Sequence, residues 1–113
     1  MWVGYPSHPE LWESELEPAR AEVAALVRAL VNPGGEHVRL FVYGDEARAD
    51  AQARLAGVDV EIVPGRFGDI WLRDTGPLFT ADGRAIGFAF NGWGTKYELQ
   101  HDDEVAGHEA EHT

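Results

Sequence analysis

Residues 38–43 form a short, almost continuous apolar run, Val-Arg-Leu-Phe-Val-Tyr, rich in β-branched and aromatic side chains. A run of this kind is typical of a strand that is covered on both faces, as in the parallel sheets of α/β proteins. Such a strand needs helices packed against it. The run therefore predicts a buried strand in a layered fold, and the flanking segments should supply the layers.

The segments on either side of the run have helical periodicity. Pro18–Val31 carries four apolar residues at the i, i+3, i+4, i+7 spacing of one helix face: Val23, Leu26, Val27 and Leu30. This spacing predicts an amphipathic helix that stops at Asn32-Pro33-Gly34-Gly35. A second, smaller helix is predicted over Glu46–Ala56, where Ala47, Ala51 and Leu55 share a face.

Further strands are predicted after the second helix. Val58–Ile62 alternates apolar and acidic residues with the two-residue period of a strand, and the strand should end at Pro64-Gly65. Leu78–Thr80 and Ala85–Phe90 flank an Asp-Gly pair and predict a hairpin. The order helix, strand, helix, strand, hairpin predicts an α/β fold within one domain, residues 1–113.

Composition excludes several classes of function. The net charge of −11 repels phosphate backbones and anionic lipids, so neither nucleic acid nor membrane is an expected partner. No apolar run reaches the roughly 20 residues of a membrane span, and the N-terminus lacks signal-peptide features, which predicts a cytoplasmic protein. The chain has no Cys, which excludes a cysteine nucleophile and thiolate metal sites within it.

Two segments concentrate the unusual residues. The first is Gly68-Asp-Ile-Trp-Leu-Arg-Asp-Thr-Gly-Pro77, and the second is Phe90-Asn-Gly-Trp-Gly-Thr-Lys-Tyr97. Ordinary loops avoid large aromatic residues, whereas binding loops on a rigid scaffold present them. Both segments are therefore candidates for a binding site.

These segments resemble the D-x-W-x-R-D-x-G-P and F-N-x-W-G-x-K-Y signatures of the agmatine deiminase family, also called Porphyromonas-type peptidyl-arginine deiminases. The opening Trp2-Val-Gly-Tyr-Pro6 is similar to the family's W-x-x-W-P stretch, with Tyr5 in place of the second Trp, and Asp102–Ala106 resembles the start of its next helix. The similarity covers nearly the whole chain but only an N-terminal portion of the family's domain. From Gln100 the chain turns polar and acidic with few residues to bury, so we expect a truncated chain.

The resemblance implies a fold and an activity. The fold is a partial α/β propeller of the pentein type, with one to two ββαβ units, two helices and about five strands. The activity is hydrolysis of agmatine, or of a peptidyl or free arginine guanidinium, to the ureido product and ammonia. For agmatine the product is N-carbamoylputrescine, an intermediate of putrescine and polyamine metabolism. The family's nucleophilic Cys and its acid–base His are not in this chain, so the isolated chain should be inactive.

Residue by residue, the resemblance makes Asp74 the guanidinium-binding carboxylate and Trp71 a wall of the substrate pocket. It makes three more residues candidates for substrate binding: Asp69, Asn91 and Trp93. No metal or cofactor is expected, and the partner is a small cationic guanidino substrate. Because part of a propeller exposes strand edges and apolar faces, self-association is also expected.

Each of these residues has a plainer interpretation. Asp74 could begin a turn, because Asp accepts hydrogen bonds from its own following backbone. Trp71 and Trp93 could be core residues. Arg73 should pair with a neighbouring acid and not contact a cationic substrate, because like charges repel. Asn91, with its neighbouring glycines, could shape a tight turn.

The C-terminal segment carries a competing signal, His108-Glu-Ala-Glu-His112, a literal H-E-x-x-H. On a helix this motif points two imidazoles the same way toward zinc, but a catalytic zinc needs a third protein ligand, and only Thr113 follows. A chance match in a His- and Glu-rich segment is favoured. A second alternative to the enzyme is a non-catalytic remnant that binds a cation or another chain.

Overall fold

The computed structural model describes residues 1–97 and 99–112. The polypeptide forms two compact units, Met1–Gly65 and Arg66–Thr113. Helices and strands occur in both units, which confirms the predicted mixed α/β class. That residues 1–113 belong to a single domain stays a prediction.

A three-stranded parallel sheet, in the order β1-β2-β3, is the framework of the first unit. Its strands are β1 (Trp2–Gly4), β2 (Val38–Val42) and β3 (Val60–Pro64). The central strand β2 has a neighbour on each side, which fits its nearly continuous apolar sequence. The predictions for β2 and β3 are confirmed, with β3 starting two residues later than expected. β1 was not predicted, because three residues are too few to display a period.

The strands are joined by helices. A short helix α1 (Pro9–Trp12) and a 3-10 turn (Glu13–Glu15) lead into α2 (Leu16–Val31), and α3 (Asp45–Arg54) joins β2 to β3. Both predicted helices are confirmed with boundaries moved by one or two residues. Among the described residues, no helix is long and apolar enough to cross a membrane.

The predicted core-facing side of α2 needs one correction. Ala24 and Val27 are buried in the core of the first unit, as is Arg20, whereas Leu26 is exposed. Residues 20, 24 and 27 are one turn apart along one stripe, while residue 26 is rotated by about 100° from residue 27. Val23 and Leu30 pack at the edge of the same core.

Arg20 can be buried on this stripe because each of its three guanidinium nitrogens donates a hydrogen bond. Nε donates to the backbone oxygen of Pro6 at 2.9 Å, and the two terminal nitrogens donate to the two oxygens of Glu46 at 2.8 Å each. The Glu46 hydrogen bond raises the pKa of Arg20. Tyr5, which takes the place of a Trp in the family's opening stretch, donates its hydroxyl to Asp50 in the same cluster. A bidentate pair of this kind allows a charge to be buried without being orphaned.

The second unit begins with a four-residue helical turn and a small hairpin. The short helix α4 (Leu72–Thr75) precedes the antiparallel strands β4 (Leu78–Phe79) and β5 (Ala85–Ile86). Gly83 has a φ of 83° in the connecting turn, as the Asp-Gly pair predicted. The hairpin is confirmed, but β5 ends at Ile86 and not at Phe90.

The C-terminal segment has a better-defined buried face than its composition suggested. After a distorted turn α5 (Gly92–Thr95), a 3-10 turn (Asp102–Glu104) continues into α6 (Val105–Glu111). Four residues at the i, i+3, i+4, i+7 spacing are buried: Asp102, Val105, Ala106 and Glu109. The apolar part of this face is as small as expected, since only Val105 and Ala106 are buried, but two buried acids extend it.

Candidate functional site

The first signature segment begins in the interior of the second unit. Phe67 is fully buried, and the backbone N–H of Gly68 donates to Oδ1 of Asp102 at 2.7 Å. The N–H of Asp69 also points to this oxygen, at 3.3 Å. We name residues 67–76 the 67–76 loop. The start of this loop is hydrogen-bonded to the buried side chain of Asp102.

Asp69 holds the next aromatic residue. Its Oδ1 accepts from the N–H of Ile70 at 2.7 Å, and its Oδ2 accepts from the indole Nε1 of Trp71 at 2.8 Å. Both oxygens of Asp69 are thus engaged inside the loop. This geometry favours a role for Asp69 in orienting the Trp71 ring over direct contact with a substrate.

Trp71 is not a core residue. Its side chain is 53% exposed, so the alternative interpretation of a buried Trp is wrong at this position. Its carbonyl oxygen accepts from the N–H of Asp74 at 2.9 Å and from the N–H of Thr75 at 3.1 Å, and it thereby closes the turn of α4. The buried Thr75 adds its hydroxyl to the same oxygen at 3.2 Å. The backbone of Trp71 is fixed while its ring faces outward.

Asp74 is the third residue of α4, and its side chain is exposed. Within residues 1–97 and 99–112, its carboxylate has neither a hydrogen-bond donor nor a cation paired with it. The interpretation of Asp74 as a residue whose side chain binds its own turn therefore has no support in the described part of the chain. Two carboxylate oxygens remain available to a ligand on the turn that the Trp71 carbonyl closes.

Arg73 differs from expectation. It is exposed, and the predicted ion pair with a neighbouring acid is not formed with any described residue. Asp69 is already engaged with Ile70 and Trp71, and the adjacent Asp74 carries no paired cation, so the structure gives no ion-pairing role to Arg73 among the described residues.

The second signature segment forms a tight turn. Oδ1 of Asn91 accepts from the N–H of Gly94 at 2.9 Å, which confirms Asn91 as a turn residue. Gly92 and Gly94 have φ values of 65° and 74°, in the left-handed region that glycine enters without strain. Trp93 lies between them with a φ of 56°, which is unusual for a bulky residue.

This turn displays an aromatic cluster at the surface. Trp93 is 41% exposed, so it is not a core residue either. Its ring packs edge to face with Phe90 at a centroid distance of 4.9 Å and with Tyr97 at 6.4 Å. The ammonium of Lys96 lies 5.4 Å from the centroid of the Tyr97 ring, within the range of a cation–π contact.

The predicted site residues thus fall into two groups within the second unit. Asp69, Trp71 and Asp74 are joined through the 67–76 loop, whereas Asn91 and Trp93 belong to the turn at 90–97. A cavity of about 240 Å³ is lined by residues 90–92 and 99–103, and thus by Asn91. The three residues of the 67–76 loop do not line this cavity.

Two buried acids beneath these segments were not identified from the sequence. Asp102 is 1% exposed and Glu109 is 3% exposed, and burial raises the pKa of Glu109 to about 7. A Cβ added at Gly76 would come within 2.5 Å of Oε2 of Glu109, so the end of the 67–76 loop lies directly against this carboxyl. The i, i+7 spacing of two acids around Val105 and Ala106 was the available signal, but counting only apolar residues missed it.

The Porphyromonas-type peptidyl-arginine deiminase family matches this sequence over residues 1–113. The chain belongs to this family. The resemblance carried by the two signature segments is therefore confirmed.

Curated members of the deiminase family agree with this assignment. The agmatine deiminase of Stutzerimonas stutzeri is 33% identical over 114 residues, which cover 93% of this chain and 30% of the relative. The agmatine deiminase of Pseudomonas aeruginosa is 32% identical, with the same coverage of both chains. As predicted, the match is to an N-terminal portion, and this chain spans about 30% of the length of these relatives.

The H-E-x-x-H segment of this deiminase-family chain lies on α6. The rings of His108 and His112 stack with centroids 4.3 Å apart, and Nδ1 of His112 lies 2.8 Å from the backbone oxygen of His108. Glu109, the candidate general base of the motif, is buried in the second unit. Among the described residues, no three side chains of metal-binding type come together.

Proposed function

We propose that this chain supplies the guanidinium-binding carboxylate, Asp74, of a hydrolase that acts on agmatine or on an arginine guanidinium. The observation that carries the proposal is the exposed Asp74 carboxylate, which has no partner among the described residues and lies on the turn closed by Trp71. The family assignment and the agmatine deiminases among its relatives support the same substrate class.

A guanidinium ion suits this pair of residues chemically. Its planar N–H groups can donate two at a time to one carboxylate, and such charge-assisted bonds are roughly twice as strong as neutral ones. The Trp71 ring, held by Asp69, can cover the cationic plane through a cation–π contact. Together they would fix the orientation of the guanidinium carbon that is to be attacked.

The resemblance supplies the remaining steps. A cysteine thiolate adds to the guanidinium carbon, ammonia leaves with a proton from the histidine, and water then displaces the thiolate to give the ureido product. This chain contains no Cys, so it would contribute binding and orientation while the nucleophile comes from sequence outside it. In this proposal its strands and helices form part of the family's α/β propeller.

A non-catalytic, cation-binding role is the second candidate. The observation that favours it is the exposed cluster of Phe90, Trp93 and Tyr97, whose faces can bind a cation without any chemistry. The two candidates differ in where a guanidinium compound binds. The first requires Asp74, and the second requires Trp93.

Titration of the ¹⁵N-labelled chain with agmatine, followed by NMR, separates these candidates. We expect shifts of the Trp71 indole and Asp74 amide signals, and an affinity about tenfold lower for Asp74→Asn because a charged acceptor is lost. Putrescine, which lacks the guanidinium, should bind more weakly than agmatine. The chain alone should release no ammonia from agmatine, since it contains no Cys.

Asp59→Asn is the matched control, because it removes one exposed carboxylate from the first unit. Its agmatine affinity should equal that of the native chain. Unchanged binding by Asp74→Asn would disprove the role of Asp74. If the shifts then centre on the Trp93 ring and vanish in Trp93→Ala, the cation-binding candidate replaces the first.

A further inference from the structure

We propose that Asp102 is a positioning residue, which acts through the backbone of the 67–76 loop to present Trp71 and Asp74 to a ligand. Asp102 contacts neither of these side chains in this role. The ligand part of the inference rests on the proposed function, whereas the hold on the loop can be tested by itself.

The first step is the contact at the start of the loop. Oδ1 of Asp102 accepts from the N–H of Gly68 at 2.7 Å and lies 3.3 Å from the N–H of Asp69. The carboxylate is 1% exposed, and buried polar groups are kept in place by such hydrogen bonds, since water is not there to replace them. Two consecutive peptide groups on one oxygen define the direction in which the chain leaves the core.

The close packing at Gly68 supports a fixed geometry. A Cβ added there would come within 2.3 Å of the Leu99 Cβ and 3.0 Å of Oδ2 of Asp102. The backbone at Gly68 is therefore held directly against the segment that carries Asp102. A larger residue cannot be accommodated without moving one of the two.

The second step is the contact at the end of the loop. Glu109 lies seven residues after Asp102, two turns further along the same helical segment, and its carboxyl lies against Gly76. One helical segment thus contacts both ends of the loop, with Trp71 and Asp74 between the contacts.

The third step is the lack of packing on the two ligand-facing side chains themselves. Trp71 is 53% exposed and Asp74 is exposed, so contacts of their own side chains with the core cannot hold them in place. Their position depends on the loop backbone. The buried Asp102 is the group that fixes this backbone where it leaves the core.

The test compares Asp102→Asn and Asp102→Ala with Asp103→Asn. Asp103 is the exposed neighbour of Asp102, so the control makes the same replacement of a carboxyl by an amide in the same turn. Amide hydrogen exchange is measured residue by residue, and agmatine binding is measured by NMR. In Asp102→Ala we expect exchange at Gly68 and Asp69 to be at least about tenfold faster, because the oxygen that accepts from both N–H groups is lost.

Asp102→Asn keeps an acceptor oxygen. Compared with Asp102→Ala, it should therefore retain more of the exchange protection at Gly68 and Asp69 and more of the agmatine affinity. Asp103→Asn should match the native chain in both measurements. If Asp102→Ala does not fold, Asp102→Asn tests the proposal instead. Relative to the native chain, its exchange should then accelerate more at residues 68 and 69 than in α6 or the hairpin.

Equal acceleration of exchange throughout the second unit would overturn the proposal, because it would mean that Asp102 contributes only general stability. Native exchange at Gly68 and Asp69 in both Asp102 variants would overturn it too. If the native chain binds no agmatine, the proposed function fails, and the exchange data alone still decide whether Asp102 holds the loop. Weaker agmatine binding with exchange accelerated only in the loop supports both proposals.

Discussion

At the scale of single residues, the second unit uses its carboxylates in three different ways. Asp74 is exposed and unpartnered among the described residues, Asp69 binds the Trp71 indole, and Asp102 is buried against two backbone N–H groups. The residue type is the same, and the surroundings decide its chemistry. The resemblance pointed to both Asp74 and Asp69. Only the hydrogen bonds distinguish Asp69, which binds the Trp71 indole, from Asp74, which does not.

Glu109 should make stability depend on pH. Burial raises the pKa of its carboxyl from 4.5 to about 7, so the folded state binds the proton more tightly than the unfolded state does. This contribution to stability is complete below pH 4.5 and is lost as the pH rises to about 7. Replacement by Gln, which is always neutral, should therefore stabilise the chain at pH 8 by on the order of 3 kcal/mol relative to its effect at pH 4.

Urea unfolding of Glu109→Gln and of the native chain, measured from pH 4 to pH 8, checks this prediction. Glu111→Gln is the control, since Glu111 is an exposed carboxylate on the same helix. The difference in free energy of unfolding between Glu109→Gln and the native chain isolates Glu109, because the other titrating groups are common to both. A difference that does not change between pH 4 and pH 8 would contradict the prediction.

At the scale of elements, α6 organises the loop that it lies against. The buried face of α6 and of the 3-10 turn that leads into it combines Val105 and Ala106 with two acids, which meet the two ends of the 67–76 loop. The sequence predicted a helix starting near Asp102 but not its packing, because hydrophobic periodicity says nothing about acids that find buried partners. The same reason explains α2, in which Arg20 is buried and Leu26 is not.

Gly76→Ala should destabilise the second unit by roughly 1–3 kcal/mol, the range for inserting a methyl group into a packed site. The new Cβ would lie 2.5 Å from Oε2 of Glu109 and 2.6 Å from the backbone oxygen of Leu72. The Leu72 oxygen accepts from the Gly76 N–H in α4 and cannot move without opening that turn. Chemical denaturation monitored by NMR signals of residues 67–112 measures the change.

Gly107→Ala is the matched substitution on α6. A Cβ there meets nothing within 4 Å, and Ala is the better helix former by up to about 1 kcal/mol. We expect this variant to be as stable as the native chain or more so. If Gly76→Ala and Gly107→Ala behave alike, the close packing of the loop on Glu109 is refuted.

At the scale of the whole molecule, the chain combines two compact units with a net charge of −11. Its relatives are matched over only about 30% of their length, so a large part of each relative has no counterpart here. The hairpin of the second unit and the segment directly after it expose four large apolar side chains: Leu78, Phe79, Ile86 and, after the hairpin, Phe88. Apolar groups gathered on an exposed hairpin are typical of an interaction surface.

We therefore expect concentration-dependent self-association through the hairpin. Because like charges repel, association should increase with salt, which screens the acidic surface while leaving apolar contacts intact. Sedimentation velocity at low and high ionic strength measures it. Leu78→Ser with Phe88→Ser should shift the chain toward monomer, whereas Leu26→Ser, at an exposed apolar residue of the first unit, should not.

A native chain that stays monomeric at every concentration and ionic strength would rule out this association. Equal weakening by the hairpin pair and by Leu26→Ser would place the contact elsewhere.

The sequence by itself determined the local elements and the family. Hydrophobic periodicity and turn sequences involve only a few neighbouring residues, so they can be identified without knowing the rest of the fold. They predicted α2, β2, α3, β3 and the Asp-Gly turn of the hairpin. The two signature segments identified the family for the same reason, since each is a continuous string of residues.

Only the tertiary structure decided which polar residues lie inside. Arg20 reaches Glu46 across 26 residues, and Gly68 reaches Asp102 across 34. It also revealed β1, whose three residues become a strand by pairing with β2. A charged group is buried only where its partner lies, and that position depends on how distant segments pack. The sequence therefore indicated Asp74, and the fold was needed to identify the buried acids beneath its loop.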